Sequence, residues 1–188
     1  MVTMVNPPFY PLRNHEVPWI LFRTSCDGEE CDECCEEKPS SLNLSKSPES
    51  SAFDSHLSWK KLPTPFVSFF STWARAMRWR EWLEENHHTD IKVVALWARD
   101  MGHVYKAMTV ALSLGYSDTG SDNRRNLRNH EDEYLIGSGV DEDRILAVFR
   151  GGGDLRAITF DGPFYKTTTS VPSEYFPAQG IPSKSWRM

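Results

Sequence analysis

The chain has 188 residues, room for one domain built around one core and too little for a multidomain machine. Hydrophobic residues make up 39%, below the ordinary globular share, yet seven Trp and 12% aromatic residues supply large side chains, which points to a real core diluted by stretches that cannot pack. The net charge of −5 is a local matter: residues 26–37, CDGEECDECCEE, are rich in acids and hold no base, so the remainder is close to neutral and bulk charge gives no reason to expect a nucleic-acid partner.

Residues 1–17 read as a proline-punctuated, flexible arm with no apolar leader, and no run of 18 apolar residues follows, so the expected location is intracellular, cytoplasmic by default, with no membrane contact. The domain proper is expected over 18–162, with a C-terminal tail over 163–188. Its first strand is the apolar run Trp19-Ile20-Leu21-Phe22-Arg23. Four cysteines (Cys26, Cys31, Cys34, Cys35) then fall within ten residues among acids, a packing unlike a framework of disulfides stapling distant elements. Adjacent Cys34 and Cys35 rarely point at one ion, so an acidic loop is preferred over a metal site. Eight serines and two prolines in 39–58 extend this into a mobile insertion over 26–58.

Order resumes at Pro63-Thr64-Pro65, which sets up the strand Phe66–Phe70. Ser71 or Thr72 caps a helix carrying Trp73, Ala76, Met77, Arg80 and Leu83 at helical spacing and ending near Asn86. Ile91 to Ala98, β-branched and nearly continuous, reads as a central strand, and Val104 to Leu114 as a helix closed by Gly115. A polar loop precedes the short strand Tyr134-Leu135-Ile136, and Arg144 to Arg150 pairs through Gly151-Gly152-Gly153 with Asp154 to Phe160 as a hairpin.

Glu131 and Glu133 stand two apart at the start of a strand, where period-2 geometry turns both carboxylates to one face. Such a like-charged pair is either a solvated loop edge or a device for managing a developing positive charge. Arg124, Arg125 and Arg128 just before it either steer an anion or balance the nearby acids.

Three separated pieces resemble the Arg-Ser-Glu class of ADP-ribosyltransferases, which includes the catalytic subunits of cholera toxin and heat-labile enterotoxin. Leu21-Phe22-Arg23 is similar to the aromatic-Arg end of that class's first strand, and Phe66-Val67-Ser68-Phe69-Phe70-Ser71-Thr72 to its aromatic-aliphatic-Ser-Thr-Ser edge. Glu131-Asp132-Glu133, followed by Gly137-Ser138-Gly139-Val140, is similar to its Glu-x-Glu motif. The chain also resembles a family of filamentous-fungal domains of unknown function with a similar TPF-SFFS-W and HEDEYL pattern.

The resemblance implies an α+β fold of ADP-ribosyltransferase type, with two mixed β-sheets around an NAD cleft and flanking helices. It implies a mono-ADP-ribosyltransferase moving ADP-ribose from NAD, its one cosubstrate, to a protein acceptor through arginine, with no metal. The alternative is an interaction module that keeps the fold without catalysis. By the same resemblance Arg23 binds the NAD diphosphate or ribose, Ser68 braces the strand and the catalytic carboxylate, Glu133 stabilises the oxocarbenium-like transition state, and Glu131 handles the acceptor. The chain departs from the class at Phe69-Phe70, where two hydroxyls are missing in register. Phe70 either stacks on nicotinamide or fills the pocket.

Overall fold

The computed structural model describes residues 9–26, 48–60, 62–119, 126–137, 140–150 and 157–159. Seven strands, β1 (Ile20–Ser25), β2 (Phe66–Phe70), β3 (Lys92–Trp97), β4 (Val104–Lys106), β5 (Glu133–Gly137), β6 (Ile145–Arg150) and β7 (Ala157–Thr159), form one sheet in the order β4-β5-β2-β1-β3-β6-β7. Every pairing is antiparallel. Among the described residues three α-helices, α1 (Ser50–Leu57), α2 (Trp73–Glu85) and α3 (Ala107–Ser113), accompany the sheet. The chain is therefore mixed α and β as expected, but with one antiparallel sheet where two mixed sheets were expected. The join at its middle is narrow, because β1 and β2 are paired in register at Phe22 and Phe70, whereas β1 and β3 pair along six positions.

Strand alternation decides which side chains meet the helices. Ile20 and Phe22 of β1 face the same side as Val93 and Ala95 of β3 and Phe149 of β6, and this patch is closed by Ala76 and Trp73 of α2. The opposite side carries Leu21, Phe69, Leu96 and Ile136, covered by Val17 and Met101. A third cluster lies under α1 and α3, where Phe53, Leu57, Phe66, Tyr105, Val110 and Leu135 pack together. The central strand predicted at Ile91 to Ala98 is β3, flanked by β1 and β6.

Local chemistry explains the helix ends. The Thr72 hydroxyl accepts from the Arg75 amide at 3.3 Å, taking up an amide left orphaned at the start of α2, and the Asn86 side chain donates to the Trp82 carbonyl at 2.7 Å at its close. Gly115, with φ of +82°, closes α3: its amide donates to the Leu112 carbonyl and the Tyr116 amide to the Ala111 carbonyl, each at 3.0 Å. That paired closure folds the Tyr116 ring back into the cluster under α1.

Several expectations need correction. Val104 to Lys106 is a strand and not the first turn of a helix, which starts at Ala107. The Val104 pairing with Ile136 of β5 supplies the ladder bonds that override the helical spacing of its side chains. Part of the arm is packed, since Phe9 and Val17 are buried and the Leu12 amide donates to the Val104 carbonyl at 2.7 Å. The end of the segment read as a mobile insertion is helix α1, whose Phe53 ring stacks on Phe66 at 4.3 Å. Phe53, His56 and Leu57 recur at i, i+3 and i+4, so three buried side chains outweigh the serines between them. The glycine turn of the predicted hairpin and the tail over 163–188 lie outside the described residues, while β6 and β7 pair as that hairpin requires. No helix among the described residues is long and apolar enough to cross a membrane.

Because Phe53 is fully buried between Phe9, Phe66 and Tyr105, Phe53→Ala should destabilise the fold by about 3–5 kcal/mol, read as a lowered denaturant midpoint at unchanged slope. A midpoint equal to wild type would mean that α1 is not part of the folded unit.

Candidate active site

Ser68 stands in the middle of β2, and Glu133 is the first residue of the neighbouring β5. In the register of these strands Phe70 lies opposite Glu133 and Ser68 opposite Leu135, so alternation turns Ser68, Phe70 and Glu133 to the same, helix-covered face. The Ser68 hydroxyl donates to Glu133 Oε1 at 2.5 Å. The other carboxylate oxygen, Oε2, lies 2.6 Å from His130 Nδ1. His130 closes a 3-10 turn, Leu127–His130, whose start is capped by the Asn126 side chain accepting from the Arg128 amide. From there the chain turns into β5, which sets the imidazole over the carboxylate three residues ahead.

A second histidine arrives from α1. His56 Nε2 is 2.8 Å from Ser68 Oγ, and its Nδ1 is 2.6 Å from the Thr64 hydroxyl. The result is a continuous hydrogen-bonded chain, Thr64–His56–Ser68–Glu133–His130, from the segment before β2 to the turn before β5. Glu133 is only 5% exposed. Burial on its own pushes its carboxyl upward, but the hydrogen bonds from His130 and from the Ser68 hydroxyl and the pull of His56 together outweigh it and hold Glu133 below the ordinary glutamate value.

Arg23 reaches the site from β1. Its Nη1 donates to the main-chain carbonyl of Ser68 at 3.4 Å, so a side chain ties β1 to β2 beside their one pair in register. By alternation Arg23 leaves β1 on the face opposite Phe22 and Phe70, so it meets the backbone of β2 rather than the Ser68 hydroxyl in this contact. Phe70 is half-buried, and the Arg75 guanidinium from α2 sits 5.5 Å from the centre of its ring. Arg75 is itself held by the Asn129 carbonyl at 3.3 Å.

The structure thus joins Ser68, Glu133 and the backbone contact of Arg23, and it leaves Glu131 in the turn before β5. β5 begins only at Glu133, and Glu131 is an exposed turn residue with helical backbone angles, so the period-2 argument does not extend back to it. Arg124 and Arg125 lie outside the described residues, and Arg128 pairs with Asp118 at 3.5 Å, in keeping with a charge-balancing role. His56 and His130 were not singled out from the sequence. His130 opens the same HEDE stretch that supplied Glu133, and its signal was its place three residues before a carboxylate at a strand start. His56 was hidden in the serine-rich segment, and only its place beside Phe53 and Leu57 marked it.

Cys26 packs with Leu83 and Ile91 at the far end of β1 and is disulfide-bonded, with its Sγ 3.9 Å from His88 Nδ1. Cys31, Cys34 and Cys35 lie outside the described residues.

The sequence pattern of the family described as "Domain of unknown function (DUF7587)" matches residues 17–151, and the chain belongs to that family. No curated protein matches the chain. Among solved structures it is similar to a variant of the Scabin toxin from Streptomyces scabies, with a TM-score of 0.39 and 14% identity over 70% of this chain and 63% of that one. It is also similar to EcPltA, with a TM-score of 0.45 and 11% identity over 88% of this chain and 91% of that one. At these scores neither likeness assigns an activity.

The depressed Glu133 carboxyl predicts an acid-side loss of stability. A group held below its unfolded value of 4.5 contributes fully above that value, and the contribution disappears as pH falls through the lower folded one. The stability difference between wild type and Glu133→Gln should be largest near neutrality and shrink between about pH 5 and pH 3, because other carboxylates cancel in the difference. A constant difference in urea midpoints across that range would refute the buried, ionised carboxylate.

Proposed function

We propose that the chain is a mono-ADP-ribosyltransferase-type protein that cleaves the nicotinamide–ribose bond of NAD and passes ADP-ribose to a protein acceptor. The observation that carries this reading is the Ser68 to Glu133 hydrogen bond across β2 and β5, with Arg23 joined to the same residue of β2. These are three of the four residues to which the sequence resemblance gives roles, and Glu133 is held toward the charged form that its role requires. When the bond between ribose C1′ and the nicotinamide nitrogen breaks, the electron pair leaves with nicotinamide and positive charge grows on the ribose. Glu133 offsets that charge and accepts a hydrogen bond from the ribose 2′-hydroxyl. The acceptor, an arginine side chain or water, then forms the new bond to C1′ and gives up a proton. In this reading Glu131, exposed beside the site, receives it, and Arg23 serves the diphosphate side of NAD.

A second reading, a binding module that retains the fold without catalysis, draws support from a different observation. Both oxygens of Glu133 are engaged by internal donors, and one side of the Phe70 ring is taken by Arg75. In that reading the same network braces the sheet, and the partner is a protein bound elsewhere on the surface.

Nicotinamide release from NAD by the purified protein separates the two. On the transferase reading, wild type releases nicotinamide, Glu133→Gln lowers the rate by roughly 10²-fold or more, and Glu131→Ala keeps hydrolysis while losing transfer to an arginine-like acceptor. No release by wild type, together with no thermal shift at millimolar NAD, would leave the binding module as the function.

A further inference from the structure

We propose that His130 is a positioning residue for Glu133: it holds the carboxylate through its Nδ1 proton while its second ring nitrogen carries none. The role in catalysis rests on the transferase reading above, whereas the role in holding the carboxylate does not.

An ionised carboxylate only accepts, so the proton in the 2.6 Å contact between His130 Nδ1 and Glu133 Oε2 belongs to the ring. The ring is fully buried, and its other nitrogen, Nε2, has no hydrogen-bond partner among the described residues. A bare lone pair is tolerable in that position. A second proton would put a charged N–H against a wall that offers no acceptor, the most unfavourable way to bury a polar group. The wall is set by packing: the Tyr116 ring stands edge-on to the imidazole at 5.6 Å, and Tyr116 is fixed in turn by the closure of α3 and by its hydroxyl donating to Asp54 Oδ1 of α1 at 3.1 Å.

The consequence for chemistry is one of net charge. An imidazolium at this distance would cancel the negative charge of Glu133 where a growing ribose cation needs it. A neutral ring donates one hydrogen bond, fixes the carboxylate plane together with Ser68, and leaves the full charge on Glu133. The groups that face Glu133 are His130, from the turn before β5, Ser68, from β2, and through Ser68 the ring of His56, from α1.

The test compares His130→Phe, which keeps a ring but no donor, with His130→Asn, whose side-chain amide can replace the Nδ1 donor. Both are read first by NMR titration of the Glu133 carboxyl carbon. The expected result is titration at higher pH in His130→Phe and return toward wild type in His130→Asn, with the wild-type His130 nitrogen spectrum showing protonated Nδ1 and bare Nε2 near neutrality. The second readout is NAD cleavage, where His130→Phe should lower kcat about tenfold or more with KM little changed, and His130→Asn should restore most of it. Unchanged Glu133 titration in folded His130→Phe, or a wild-type ring protonated on both nitrogens, overturns the proposal. Should His130→Phe fail to fold, the nitrogen spectrum of wild type and the His130→Asn titration decide it. Absence of NAD cleavage in wild type sinks the transferase reading, while the carboxyl titration still decides whether His130 holds Glu133.

Discussion

A carboxylate that is both buried and ionised is the constraint on which this structure depends. Removing a charge from water costs several kcal/mol unless donors replace the lost hydration, and Glu133 obtains them from three different parts of the chain. Ser68 comes from the neighbouring strand, His130 from the turn just before Glu133, and His56 from α1 acts through Ser68. Each donor needs its own support: Thr64 for His56, Tyr116 for His130, and the β2–β5 register for Ser68. The elements around the site are thereby coupled, since displacing any one of them exposes or strands the same charge.

This coupling accounts for an arrangement that would otherwise look redundant. α1 and α3 are short, at eight and seven residues, and neither would be stable alone in water. They are held by the cluster around Phe53, Phe66 and Tyr105 on one side, and the Tyr116 to Asp54 bond links them at the edge nearest His130. Packing energy from the aromatic cluster in this way fixes the geometry of a polar network a few residues distant.

The sequence made the strands and α2 legible because their signals are local. β3 is continuous and β-branched, α2 has a capping hydroxyl at Thr72 and helical spacing, and Gly115 marks the end of α3. Ser68 and Glu133 came to notice through the motif resemblance, and the β2–β5 register sets them side by side. Two kinds of feature were not legible. β4 carries helical periodicity, and only its partner β5, nearly thirty residues away, decides against a helix. α1 lies in a composition that reads as disorder, and its stability comes from Phe9, Phe66 and Tyr105, none of which is near it in sequence. The shared face expected of Glu131 and Glu133 does not form, because the strand begins at Glu133 itself.

The positions of Cys26 and α1 carry a consequence for how this family can vary. One end of the intervening chain is anchored where Cys26 packs on Leu83 and Ile91, and the other where Phe53 and Leu57 enter the core. A shift of one residue within α1 would turn His56 away from Ser68. Relatives should therefore hold the spacing from Phe53 to Ser68 nearly constant.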